Sequence, residues 1–332
     1  AEIFRMCNRI QPYAWGSRTL LADLQRREPP NEPEAELWMG GHPSGPSLIY
    51  LDEHSDPVPI NVVFQSQPER FLGPTTETVD PDEPLPFLLK VLAVAEPLSI
   101  QVHPNSSQAL AGFDREEAAG IPLDDPARSY CDRNSKPEYT VALSPVLMLN
   151  GQRPAAEISE IATCLSLPWL HSLSTVEPIK EVLTFSEDLV AAAITETNSA
   201  IARVSESTAQ GGELSEPVTS ALTVWPQIVA KHPGDRGLLV ALCMDLVRID
   251  TGMGIATPAG QLHAYLSGLA VELQAPSDNV LRAGLTSKHI DVPELLRVMN
   301  PSQVHPVVEE PQKLPDGTEQ FTLWDPEISL RR

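Results

Sequence analysis

The chain has 332 residues, about two domains at roughly 150 residues each, enough to bury a sizeable core. Its 45 acidic and 23 basic residues give a formal charge of −22, which argues against a nucleic-acid backbone or an anionic membrane as main partner. Any anionic ligand must therefore be caught by a local basic site.

From residue 1 to about 150, short apolar runs punctuated by Pro, Gly and Asp predict strands and turns with an occasional helix. The strongest strand signal is 85–103, where LPFLLKVLAVA breaks at Glu96-Pro97 and leads into LSIQVHP. There Leu98, Ile100 and Val102 alternate with Ser99, Gln101 and His103, one face apolar and the other polar. A helix follows over 105–120, with Asn105-Ser106-Ser107 as its capping region and Ala109, Leu110 and Phe113 at helical spacing.

Residues 151–233 change to Ala-, Glu- and Leu-rich segments with apolar spacings of three and four, which predicts a helical insertion with an internal break at Gln210-Gly211-Gly212. From 234 to 332 strand texture returns in GLLVALCMDLVRIDTG and HAYLSGLAVELQAPSDNVLRAGL. A helix VPELLRVM follows, capped by Asp291 with Pro293 in its first turn. The last segment, QKLPDGTEQFTLWDPEISLRR, again reads as strands. The 33 prolines, about twice the usual share, fit stiff connections between such short elements.

Cys7, Cys131, Cys164 and Cys243 lie far apart with no CxxC pair, so neither a disulfide framework nor a cysteine zinc site is expected. No apolar run approaches roughly 18 residues, and no secretory leader is visible. These features predict a soluble, cytoplasmic protein in a reducing compartment.

Gln101 and His103 are two apart on a predicted strand, so both side chains point to one face, as two ligands of one metal would. Downstream, Gly252, Pro258, Gly260 and His263 fit the spacing G-x5-P-x-G-x2-H, which resembles the second conserved motif of the cupin superfamily, small β-barrels that bind a metal inside. Gln101-Val-His103 stands where that superfamily has its first ligand pair, and Glu138 is the obvious carboxylate. Two imidazoles, a carboxylate and an amide oxygen suit one zinc per chain, although manganese, iron or cobalt could occupy such a site.

Ordered blocks carry a closer resemblance. They are NRIQPYAWGS at 8–17, EPEAELWMGGHPSGPS at 32–47, LPFLLKVLAVAEPLSIQVHPN at 85–105, GFDREEAAGIP at 112–122, KPEYTVAL at 136–143, and PAGQLHAYLSG with ELQAPSDNVLRAGLTSKHIDVPELL within 258–296. From about residue 5 to 300 the chain resembles the type I phosphomannose isomerases. The resemblance implies a mainly β architecture with α elements: cupin-type jelly-roll β-barrels and an inserted helical domain. It also implies interconversion of mannose 6-phosphate and fructose 6-phosphate through a cis-enediolate.

By position the family's metal ligands fall on Gln101, His103, Glu138 and His263, its active-site groups on Lys90, Lys136, Asp278 and Arg282, and further pocket groups on Ser99, Trp15 and Glu272. Lys136 and Glu138, two apart, should face one cavity if extended. Lys90, inside an apolar run, is expected to be buried in a pocket. Arg282 suits either the enediolate or the phosphate, and Lys288 and Lys136 are alternative phosphate partners.

Two departures stand out: Ser135 occupies the family's usual histidine position, and the chain stops at Arg332 where relatives continue, so a C-terminal barrel is expected to be truncated. They motivate an alternative reading, a non-catalytic metal-binding cupin that senses or binds a sugar phosphate. The sequence is read as a monomer with a small-molecule partner. His42 belongs to one of these blocks and is read either as a neighbour of the pocket or as a turn histidine bonded to backbone, while His54, His171, His232, His289 and His305 are read as surface or structural residues, the acidic clusters as solvated loops, and Trp38 and Trp225 as core anchors.

Overall fold

The computed structural model describes residues 3–52, 54–72, 85–208, 213–300, 306–325 and 328–332. The expected break at Gln210-Gly211-Gly212, the acidic cluster Asp80 to Glu83, Glu53 and His305 lie outside the described residues. Among those described, no helix is long and apolar enough to cross a membrane.

One strand organises the β part. His263–Gln274 pairs through its first half with Ile100–Val102 and Val146–Gln152, and through its second half with Leu88–Val94 and Glu138–Ala142, all antiparallel. It therefore belongs to two facing sheets. The transition is a register shift between Tyr265 and Ser267 next to Gly268, whose φ is +120°. A Cβ at Gly268 would stand 2.7 Å from the Pro145 carbonyl oxygen, so glycine is required there.

The faces follow from this arrangement. Leu92, Val94, Ala142, Met148, Val247, Ile255, Tyr265 and Ala270 pack together between the sheets. The outer face of one sheet, Leu37, Val91, Ala93 and Leu269, is covered by Leu21 of the helix Leu20–Leu24. The outer face of the other, Ile100, Val102, Leu149, Ala264, Leu266, Leu281 and Ala283, joins the core of the helical segment. Strand Leu88–Val94 is covered on both sides, which accounts for its unbroken apolar run, with Lys90 as the one charged exception.

The helical segment holds Ala155–Leu165, Pro168–His171, Pro178–Leu183, Glu187–Thr208 and Glu216–Lys231, packed around residues that include Trp225, 1% exposed. The helix expected over 105–120 runs over Ser106–Ala118. Asn105 and Gln108 close a reciprocal capping box, each side-chain oxygen accepting the other residue's backbone N–H. Within it Leu110 faces solvent, contrary to the expected apolar stripe. Asp291 caps Val292–Val298 as expected, accepting the Glu294 N–H at 3.0 Å.

GLLVALCMDLVRIDTG differs from its reading as continuous strand. Gly237–Leu242 is helical and only Met244–Ile249 is strand. All six helical residues are buried, so the run carries no period to distinguish helix from strand. The Asp235 carboxylate accepts the Gly237 N–H at 2.6 Å and starts the turn. The final segment forms a small sheet, Gln312–Lys313, Glu319–Phe321 and Leu330–Arg331, with Phe321 packed on Tyr139.

Candidate metal centre and substrate pocket

The register aligns polar side chains across the barrel interior. Gln101 stands opposite both His263 and Arg282, and His263 opposite Asn150. In the facing sheet Lys90 lies between Trp38 and Glu272, and Glu272 opposite Thr140. Directly opposed residues share a face, so both rows look inward.

At the deep end, His103, Glu138 and His263 are 2%, 2% and 0% exposed, with one ligand atom from each lying within 4.8 Å of the others. Nε2 of His103 is 3.3 Å from Glu138 Oε1, and Nε2 of His263 is 3.2 Å from Oε2. The imidazole protons are committed elsewhere: His103 Nδ1 contacts the Asn279 carbonyl at 2.7 Å, and His263 Nδ1 the Gln261 carbonyl at 3.0 Å. Burial and the nearby Lys136 charge hold His103 at about 4, so its ring is neutral. The His103 Nε2 thus presents a lone pair to the carboxylate, and neither Nε2 has a hydrogen-bond partner.

Lone pairs facing one another at this spacing are stable around a cation. Tetrahedral ligands with bonds of about 2.1 Å lie about 3.4 Å apart, close to the separations seen. The donor set therefore fits zinc, and the backbone carbonyls behind both imidazoles supply the orienting contacts such ligands need. Gln101 faces the same interior and can supply the remaining position. Burial raises the Glu138 carboxyl, but Lys136, with Nζ 2.9 Å from Oε1, outweighs it and holds Glu138 well below the usual range.

A cavity of 680 Å³ opens onto this centre, lined by Trp15, Lys90, Ser99, Gln101, Lys136, Glu138, Glu272, Asp278, Arg282 and Lys288. His103 and His263 are not part of its lining and adjoin it through Glu138. Ten of the twelve residues proposed from sequence thus converge on one pocket, and the other two are His103 and His263 beside Glu138.

A model of the phosphomannose isomerase type I catalytic domain matches residues 3–155. The mannose-6-phosphate isomerase of Escherichia coli strain K12 is 38% identical over 304 residues, covering 88% of this chain and 73% of the relative. The human mannose-6-phosphate isomerase is 32% identical over 327 residues, covering 90% and 73%. The chain belongs to the type I phosphomannose isomerase family. Two solved structures extend the likeness to the whole fold. A mutant of the Salmonella typhimurium phosphomannose isomerase superimposes with a TM-score of 0.85 at 31% identity, covering 100% of this chain and 83% of that one. The mannose 6-phosphate isomerase of the same organism, bound to fructose 6-phosphate and zinc, gives 0.82 at 30% with the same coverage.

Around the phosphomannose isomerase centre the charges fall into two groups. Lys90 is buried, with Nζ 3.5 Å from Glu36 Oε2, 3.8 Å from Glu272 Oε2 and 5.2 Å above the Trp38 ring. Burial alone would lower this ammonium, but the Glu36 and Glu272 charges outweigh it and keep it above its ordinary value. Glu272 is pushed up to about 7 by burial and by Glu138, against the pull of Lys90. The Tyr265 hydroxyl donates to Glu272 at 2.8 Å and accepts from Thr140.

Toward the mouth, Arg282 and Lys288 have no carboxylate partner among the described residues. Lys288 is lowered by the Arg282 charge and then by burial, the signature of two cations facing one space. Asp278 is held low chiefly by its contact with His42, whose Nε2 is 3.4 Å away. Lys136, bound to Glu138, belongs to the deep group, which separates the two lysines that sequence left as alternative phosphate partners. Ser135 bonds Ser106 at 3.2 Å and lies outside the cavity lining.

Sequence reasoning missed Glu36, Tyr265 and Thr140. It read Trp38 as a core anchor, and Trp38 is buried, 7% exposed, but it also lines the cavity under Lys90 and donates to Glu36 at 2.5 Å. His42 meets both of its expected readings, its Nδ1 accepting the Ser44 N–H at 3.3 Å and its Nε2 lying 3.4 Å from Asp278, whereas His232, read as a surface or structural residue, lines the cavity. Glu36 and Trp38 were recoverable, because they are two apart on the strand that pairs with Lys90.

Proposed function

We propose that the chain interconverts mannose 6-phosphate and fructose 6-phosphate in the 680 Å³ cavity through a cis-enediolate, with one zinc held by Gln101, His103, Glu138 and His263. The observation that carries this reading is the buried His103, Glu138 and His263 cluster, with two Nε2 atoms that lack hydrogen-bond partners facing one carboxylate beneath a cation-rich pocket.

When bound, zinc supplies the positive field that offsets charge developing on the sugar oxygens. The chain's own residues do the rest. Arg282, opposite Gln101, points a planar fork of donors at the developing enediolate. Lys288, farther out, takes the phosphate dianion. Lys136 stands at the deep end, where a proton moves between C2 and C1, and Asp278 faces it with its carboxylate ionised. Glu272, Lys90 and Glu36 form the opposite wall, while Trp15 and Ser99 narrow the entrance and exclude water.

Residues 1–150 and 234–332 are assigned to the barrel part and 151–233 to a helical insertion. What supports this division is the element order: the helices from Ala155–Leu165 to Glu216–Lys231 fall within 151–233, and the strands that pair with His263–Gln274 come mainly from residues before 151. The test is conversion of mannose 6-phosphate to fructose 6-phosphate by the purified chain, with chelator and then with added zinc. Turnover lost with chelator and restored by zinc is expected. A folded, zinc-loaded sample without turnover would assign the site to binding alone.

A further inference from the structure

The proposed metal ligands and the charged residues of the pocket come from segments far apart in sequence, and one buried side chain bonds to several of these segments. Asn279, 0% exposed, sits between the strands His263–Gln274 and Leu281–Gly284. Its Oδ1 accepts the Cys131 and Asp132 N–H groups at 2.7 and 3.1 Å. Its Nδ2 donates to the Asp132 carbonyl, the Asp132 carboxylate and the Asn134 carbonyl at 2.9, 3.0 and 2.9 Å. Its own carbonyl accepts from Nδ1 of His103 at 2.7 Å. The Asp132 carboxylate completes the knot by accepting the Asp278 N–H at 2.8 Å and the Ser277 hydroxyl at 2.9 Å.

We propose that Asn279, locked by Asp132, is a positioning residue that sets the ring orientation of His103 and holds Asp278 in register with the stretch leading to Lys136 and Glu138. This inference rests on the zinc reading of the same site. The chemistry is selective for asparagine. An acceptor and a donor are needed at the end of a short side chain, because Oδ1 takes two backbone N–H groups while Nδ2 gives to three oxygens. Aspartate would face the Asp132 carboxylate about 3 Å away without a donor, where like charges repel. Glutamine is one methylene too long for a site with no exposed surface.

The consequence for the metal ligand is direct. A fixed carbonyl on Nδ1 keeps the proton there and leaves the Nε2 lone pair aimed at Glu138. An ordinary loop clamp would stabilise residues 131–134 against 275–280 and nothing more. A positioning role also sets zinc affinity, and that difference separates the two.

The experiment measures zinc affinity of the full chain by chelator competition, kcat at saturating zinc, and the thermal midpoint of the metal-free protein. Asn279→Ala is expected to bind zinc about 10- to 100-fold more weakly, with kcat reduced about tenfold or more. Glu116→Gln is the control. That carboxylate accepts the Ser129 and Tyr130 N–H groups and so supports the two residues just before Cys131. It should lower the thermal midpoint and leave zinc affinity unchanged. Wild-type zinc affinity in a destabilised Asn279→Ala protein would overturn the proposal.

Should Asn279→Ala fail to fold, the isosteric Asp132→Asn takes its place. Weaker zinc binding by about threefold or more supports the role, and equal binding overturns it. A wild-type chain that binds no zinc would refute the metal reading itself, an outcome distinct from either variant result.

Discussion

Lys90→Met removes the single cation between Glu36 and Glu272 while keeping most of its volume. At separations of 3.5 and 3.8 Å and an effective dielectric of about 20, each attraction is about 4 to 5 kcal/mol before desolvation. Most of that is offset by the cost of burying the charges, and breaking one side of a buried pair leaves a net loss of about 3 to 5 kcal/mol. The loss reflects unpaired carboxylates, so neutralising one should recover part of it. In urea unfolding, Lys90→Met with Glu272→Gln is expected to be more stable than the sum of the single effects by about 1 to 3 kcal/mol.

The sign of the pH dependence follows from Glu272. A carboxyl raised to about 7 favours the fold fully below its unfolded value, and this contribution is lost as pH rises through 7. Lys90 pulls that value down, so Lys90→Met extends the loss to higher pH, and the deficit of the variant should grow between about pH 7 and 9. Additivity within about 0.5 kcal/mol, or a deficit independent of pH, would refute the picture of Lys90 as the charge that holds the pair together.

Arg282→Ala should lower kcat by about 10²- to 10³-fold with zinc content intact, whereas Lys288→Ala should raise KM with kcat nearly kept; steady-state kinetics with metal analysis separates them. Glu294 is raised by burial but held low by Tyr130, Arg297 and Arg115, so its contribution is present at neutral pH and lost as pH falls through its depressed value. Glu294→Gln should therefore cost about 1 to 3 kcal/mol at pH 7, with the gap to wild type closing at acid pH in urea titrations. Gly268→Ala should cost about 1 to 3 kcal/mol by urea unfolding, because neither its φ of +120° nor the Pro145 carbonyl admits a Cβ.

The proposed ligands were legible because a strand's two-residue period fixes which side chains share a face. Gln101 and His103 could be read together, and so could Lys136 and Glu138. Continuing the count from His263 fails, because the shift after Tyr265 moves the inward positions from odd to even numbers and brings Ala270, Glu272 and Gln274 inside. Glu272 was therefore reached by resemblance, and its partner Tyr265 was not reached at all. Gly237–Leu242 was misread because burial on every side erases periodicity. The Asn279 knot joins residues nearly 150 positions apart through hydrogen bonds that have no local sequence signal.

Zinc content per folded chain, determined by elemental analysis of wild type and Glu138→Ala, tests the central claim most directly. The account predicts about one zinc in the wild type and almost none in the variant, because Glu138 is the carboxylate that both imidazoles face. Full zinc occupancy in folded Glu138→Ala would contradict it.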